Sequence, residues 1–175
     1  MYLTYPNREL LPSYLEAGAE YRAAGVDTYH FLDPAEQDVL GWIHMLQTGE
    51  GLADMGFAGK YVRSTYLWLV DGETFVGELA VRHSLTPSLR KRGGHIGYGV
   101  RLGYWGGGIG TRLLGMGLDW IRVNLPALDK TLVTCRDDNC GSARVIEKNG
   151  GVLEDIIEYE GQRTRRYWIQ VRSKM

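Results

Sequence analysis

The stretch from Gly97 to Leu114 holds the residue types and spacing best suited to chemistry. It reads as a strand, a glycine-rich turn and the first turns of a helix, with consecutive glycines from Gly106 to Gly108 and another at Gly110. Glycines there let the backbone curl, and Gly110 removes a side chain where something must come close. Successive N–H groups of such a turn, aimed together with a helix N-terminus, form a pocket for phosphate oxygens. The two common phosphate loops are excluded. A Walker loop needs Lys-Ser/Thr after its last glycine, whereas Gly103 to Gly108 runs into Ile109-Gly110. The dinucleotide fingerprint needs glycines at its first, third and sixth positions, and no register supplies all three. A third kind of phosphate grip is implied.

Trp105-Gly106-Gly107-Gly108-Ile109-Gly110 resembles the Arg/Gln-x-x-Gly-x-Gly/Ala signature of the GNAT superfamily of acetyl-CoA-dependent N-acetyltransferases. Asn139 to Gly151 resembles the family's Asn-x-x-Ser/Ala…Glu-Lys-x-Gly helix, with strand-like Lys130 to Cys135 between the two motifs. Gly93 to Gly151 is similar to a bacterial branch with Gly-Gly-His-Ile-Gly-Tyr before the loop. The resemblance is good from about Tyr66 to the C-terminus. It implies transfer of acetyl from acetyl-CoA to a primary amine by direct attack in a ternary complex, without a metal. An alternative is a non-catalytic acetyl-CoA-binding sensor, and turnover in the presence of amines separates the two.

By the same resemblance, backbone groups of Tyr98, Gly99 and Val100 pair with the pantetheine amides as if the cofactor were another strand. The pyrophosphate then rests on Trp105, Gly106, Gly107, Gly108, Ile109, Gly110 and Thr111. Trp105 departs from the usual Arg/Gln, at a position that acts through its backbone amide. Asn139 contacts the pantetheine arm in the family, and a helix N-cap is its other reading.

Acetyl transfer requires that the amine lose a proton and the leaving thiolate gain one. The family's tyrosine acid falls at Ile146 and is therefore missing here. Ser142, one turn away, fits either a thiolate-protonating serine of related branches or a capping serine. His95, on the cofactor strand, fits a general base titrating near neutrality or a buried structural histidine. Glu78 and His83, one strand earlier, are second choices for the base. Tyr159, Tyr167 and Trp168 fit either the acceptor wall or the core.

The elements that position these residues follow from periodicity. Asn7 opens a helix running to about Ala24, with Pro12 in its early turns. Asp33-Pro34 supplies N-cap and N1 for a second helix to about Thr48, and Gly49 to Lys60 reads as a loop. Ser64 to Val70 and Thr74 to Ser84 are strands separated by the turn signal Asp71-Gly72. Thr86 to Arg92 is a polar connection, and Gly94 to Leu102 is a strand whose glycines predict a bulge or close backbone approach. Gly108 to about Val123 is a helix in which Gly115 and Gly117 suit tight packing on a sheet. Thr131 to Cys135 is a buried strand, Ser142 to Asn149 a short helix, and Val152 to Glu160 with Arg163 to Val171 a final hairpin. This order predicts one α+β (mixed α/β) domain. The GNAT layout it matches has a mostly antiparallel sheet of six to seven strands, splayed between the fourth and fifth, and about four helices.

Composition narrows the class. At 175 residues one core suffices. A net charge of −1 gives no strong field for nucleic acid or a membrane surface. No run approaches the roughly 18 apolar residues of a spanning helix. The N-terminus lacks a basic region followed by an apolar one, which predicts a cytoplasmic protein; a monomer or homodimer is expected. Cys135 and Cys140 match no zinc spacing and read as reduced thiols. Arg82, Arg90, Lys91 and Arg92 crowd the approach to the cofactor strand, either as a solvated loop or as an attraction for an anionic cofactor or substrate.

Overall fold

A computed structural model describes residues 1–26, 38–50 and 62–172. Seven strands form one sheet: β1 (Tyr2–Thr4), β2 (Ser64–Asp71), β3 (Thr74–Arg82), β4 (Ile96–Val100), β5 (Lys130–Arg136), β6 (Val152–Tyr159) and β7 (Gln162–Gln170). Their spatial order is β1-β2-β3-β4-β5-β7-β6, and every pairing is antiparallel except β4 with β5. The helices are α1 (Leu11–Ala23), α2 (Val39–Thr48), α3 (Pro87–Lys91), α4 (Ile109–Asn124) and α5 (Cys140–Lys148), with a 3₁₀ turn at Leu102–Tyr104. The expected architecture holds. No described helix is long and apolar enough to cross a membrane, and no group of His, Cys, Asp or Glu among the described residues could hold a metal ion.

The sheet is covered on both faces. On one, Leu113, Leu114 and Ile121 of α4 and Ile146 of α5 pack onto Leu67, Leu79, Val81, Ile96 and Val133. On the other, Tyr14 of α1 stacks on Trp68 with ring centroids 4.6 Å apart, and Phe75 meets Tyr14 edge-on. Ile43 of α2 completes that second cluster. Along β3 the alternation is interrupted at Val76, which the register with β2 skips, so that Val76, Leu79 and Val81 face α4 while Phe75 and Glu78 face α1. Gly117 lets α4 lie flat on the sheet, since a Cβ there would stand 2.6 Å from Leu79 Cδ1. Arg101, just past β4, ties the sheet to α1: its Nε lies 3.0 Å from both Glu20 carboxylate oxygens, and its Nη1 donates to Ser13 Oγ.

Several boundaries differ from the sequence expectation. Asn7 does not cap α1 directly. Its Oδ1 accepts from the Leu10 N–H at 3.1 Å, and the helix begins at Leu11, with Pro12 in its first turn. The Asp33-Pro34 start lies outside the described residues; α2 begins at Val39, with the Asp38 carboxylate accepting from the Gly41 N–H. The polar connection contains α3, capped by Thr86 through the Leu89 N–H. The register of β4 with β3 is unbroken at Gly97 and Gly99; the shift lies between β2 and β3, where Leu69 and Val70 pair with Gly77 and Phe75 and Val76 is the extra residue. Tyr167 is core: 1% exposed, with its hydroxyl donating to Glu147 at 3.0 Å.

Replacing Gly117 with Val drives side-chain carbon into Leu79. Urea unfolding should show a loss of about 1–3 kcal/mol, and an unchanged midpoint would remove the close helix–sheet contact from the account.

Candidate active site

The site begins where the sheet parts. β4 and β5 share one register point, Ile96 opposite Val133, and then diverge into a cleft of about 1100 Å³. The alternation of β4 sorts its side chains between faces. Ile96, Tyr98 and Val100 face α4 and α5, whereas Gly97 and Gly99 leave the opposite face bare. The main chain alternates too. The Arg101 N–H bonds Val76 O and the Arg82 N–H bonds His95 O, so the antiparallel ladder directs the peptide groups of Gly97 and Gly99 to β3. Those of Tyr98 and Val100 face the gap. This divides the expected pantetheine strand: Gly99 lines the cleft, but its N–H and carbonyl belong to the pairing with Glu78. The Val100 carbonyl is also occupied, accepting from Trp105 Nε1 at 2.7 Å and from the Tyr21 hydroxyl. Tyr98, with both peptide groups, and the Val100 N–H face the cleft.

At the open end of the V lies the glycine loop. Gly106 and Gly108 take left-handed backbone, φ 81° and 78°, and Gly108 is the N-cap residue of α4. A Cβ at Gly106 or Gly108 would touch nothing, so the glycine requirement there is conformational. Gly110 is different, because a Cβ would stand 3.1 Å from Val145 of α5. The N–H groups from Gly106 to Thr111 find no acceptor among the described residues, and the first backbone bond into α4 is from Arg112 to Gly108 O. With the positive end of the helix dipole behind them, they make an anion cradle. Trp105 departs from expectation, because its backbone N–H bonds Leu102 O at 3.1 Å. Its indole, not its amide, acts, by closing the end of β4. Arg144 and Lys148 of α5 also line the cleft.

Across the cleft, the Asn139 Oδ1 accepts from the Ser142 N–H at 2.9 Å and caps α5, which begins at Cys140, two residues before the expected Ser142. The capping task is therefore Asn139's, and its amide NH₂ remains available on the cleft wall. The Ser142 hydroxyl is paired with the Tyr98 hydroxyl at 2.7 Å. Burial holds the Tyr98 phenol well above its usual range, so it keeps its proton. The Tyr98 side chain escaped the sequence reading, which used only its backbone; the large–glycine alternation from Ile96 to Val100 was the signal. Cys135 also lines the cleft, with burial pushing its thiol up to about 11.

His95 and Glu78 are not brought to the cleft wall. The His95 Nδ1 accepts from the Leu132 N–H at 2.9 Å, bridging β4 to β5 at the vertex. Burial and the charges of Arg90 and Arg82 push its pKa down to about 4. Its basic lone pair is engaged, which corrects the base expectation toward the structural reading. His83, the other second choice, pairs through Nε2 with Thr65 Oγ1 at 2.8 Å, away from the cleft wall. Glu78 is 1% exposed, enclosed by the Tyr14 and Trp68 side chains that its carboxyl meets. Burial raises its pKa to about 8, tempered by Trp68 and Tyr14. The folded chain thus binds this proton more tightly than the unfolded chain, whose value is near 4.5. Stability should fall as pH climbs from about 4.5 through about 8. Glu78→Gln should remove that slope, melting a few degrees higher than the parent at about pH 8.5 with the gap closing toward pH 5. Parallel melting curves across this range would show that Glu78 ionises without penalty.

The sequence matches the profile of the family described as acetyltransferase (GNAT) domain over residues 19–152. No curated protein sequence matches the chain. Among solved structures, the ribosomal alpha-N-protein acetyltransferase RimL in complex with coenzyme A is similar at 18% identity and TM-score 0.67, covering 96% of this chain and 92% of that one. Spermidine N-acetyltransferase SpeG from Vibrio cholerae is similar at 16% identity and TM-score 0.65, covering 98% and 95%. RimJ from Mycobacterium smegmatis in complex with CoA-disulfide gives 21% identity and TM-score 0.63, covering 96% and 80%.

Proposed function

The chain belongs to the acetyltransferase (GNAT) family, and from that premise we propose that it transfers acetyl from acetyl-CoA to a primary amine by direct attack in a ternary complex. We assign this role to the whole chain as one cytoplasmic domain. One observation carries the reading: a sheet that parts between β4 and β5 and ends on unpaired N–H groups of a left-handed glycine loop.

In this reading the pyrophosphate rests on the Gly106 to Thr111 amides, with Arg144 and Lys148 at the rim. The pantetheine arm runs back along β4, bonding the Tyr98 peptide and the Val100 N–H, with the Asn139 amide opposite. The thioester then lies over bare Gly97 and Gly99, where an amine can approach from the face of α1. The nitrogen attacks the carbonyl carbon, the C–S bond breaks, and the amine proton leaves to solvent. The thiolate takes its proton from the Ser142 hydroxyl, which is resupplied by Tyr98 across their 2.7 Å bond, and Tyr98 regains a proton from solvent. Both hydroxyls keep their protons at working pH, so a donor is always loaded.

Thiol release from acetyl-CoA in the presence of amines tests the reading. Ser142→Ala should lower kcat about 100-fold or more while leaving acetyl-CoA affinity nearly intact, and Tyr98→Phe should lower it less. Gly108→Ala forces a Cβ into left-handed backbone and should weaken CoA binding several-fold by calorimetry. Unaltered affinity in that variant, with the fold preserved, would take the pyrophosphate off the loop.

A further inference from the structure

The glycine loop meets a pyrophosphate with backbone alone and leaves the charged side chains beside it without a task. α5 crosses the first turn of α4 at close range. A Cβ on Gly110 would stand 3.1 Å from Val145, and Asn149 Nδ2 donates to Thr111 O at 3.1 Å. Residues 144–148 are thereby set against the anion cradle. Arg144 and Lys148, four residues apart and so on one face of α5, are both exposed and both line the cleft.

The other charged groups nearby are engaged. Asp138 is the one carboxylate on the cleft wall among the described residues, and it accepts from Arg136 at 3.0 and 2.7 Å. Arg112, in the first turn of α4, turns away to the Met1 carbonyl at 3.2 Å and does not line the cleft. Glu147, between the two cations in sequence, accepts from the Tyr167 hydroxyl at 3.0 Å. Arg144 and Lys148 themselves have no hydrogen-bond or ion-pair partner among the described residues. Like charges four apart on a helix repel. Lys148, in the last turn, is offset by the negative end of the helix dipole, whereas Arg144 sits mid-helix and has no such compensation.

We propose that Arg144 and Lys148 hold the 3′-phosphate of coenzyme A, so that this chain selects the 3′-phosphorylated cofactor over its dephosphorylated form; this rests on the transferase reading above. A phosphomonoester carries nearly two negative charges at neutral pH and three acceptor oxygens. One ribose separates it from the pyrophosphate. With the pyrophosphate on the Gly106 to Thr111 amides, the 3′-phosphate falls to the long side chains of the adjoining helix. The arginine fork can take two oxygens at once, and the lysine ammonium adds a point charge. The backbone cradle cannot make this choice, because both forms of the cofactor carry the same pyrophosphate.

Calorimetry with CoA and 3′-dephospho-CoA tests the assignment. The parent should bind CoA about 5- to 30-fold more tightly, the worth of two solvent-exposed charge pairs. That preference should shrink as salt rises. Arg144→Gln combined with Lys148→Gln should abolish it by weakening CoA alone, with dephospho-CoA affinity and melting temperature held. Arg144→Lys should keep the charge but lose the fork, and so retain part of the preference. Equal affinity of the parent for the two forms would overturn the assignment. So would a loss in the double variant that falls equally on both, since the charges would then serve the pyrophosphate. The transferase reading survives either result. Failure of the parent to bind either form would end both readings.

Discussion

Everything at the site depends on the sheet's failure to close between β4 and β5. A continuous sheet would pair the peptide groups of Tyr98 and Val100 with β5; here pairing stops after Ile96 and Val133. Unpaired backbone groups are unfavourable unless water, side chains or a ligand reach them. Local contacts limit the gap. Trp105 and Tyr21 satisfy the Val100 carbonyl, the Gly93 N–H meets Thr134 Oγ1 at the vertex, and the Tyr98–Ser142 pair links β4 to α5 across the opening. What stays open is a short run of donors and acceptors with the spacing of a strand, which suits an extended, amide-bearing arm.

The two faces of β4 then separate two kinds of recognition. On the side of α4, charge is met by backbone dipoles, since the Gly106 to Thr111 amides need only left-handed glycines and a helix start. Such a cradle is insensitive to pH and indifferent to what the rest of the ligand carries. On the other side, charge sits on the Arg82 side chain, oriented by two carbonyls and with no carboxylate partner among the described residues. A side-chain charge in a partly enclosed wall discriminates between an acid and an ammonium, which fixed dipoles at the far end do not.

The sequence was legible where local rules govern. Glycines at Gly106 and Gly108 signalled left-handed backbone, the helix and strand order led to one mixed α+β sheet, and the family resemblance carried its splay. Illegible features arose from pairings across the fold. β1 has only three residues and is held by register with β2. The choice between the readings of His95 turned on whether its Nδ1 would meet the Leu132 N–H, 37 residues away. Tyr98 looked like a backbone contributor until α5 brought Ser142 to its hydroxyl. Gly99 could not be separated from Tyr98 without the ladder parity, which depends on where β3 enters register. Arg101 gave no sign of its grip on Glu20, because an arginine after a strand is ordinary on its own.

Two buried polar side chains on the same face of the sheet show how location decides what a buried polar group means. Glu78 has the more perturbed titration, and perturbed carboxyls often mark function. Yet Tyr14 and Trp68 close over it, it does not line the cleft, and an amine could reach it only by opening the aromatic cluster. Its proton is a matter of stability. Thr164 has no titration at all; it lines the cleft, yet its hydroxyl oxygen is buried and has no hydrogen-bond partner among the described residues. For this fold, access to the parted strands carries more information about the reacting molecule than the size of a pKa shift.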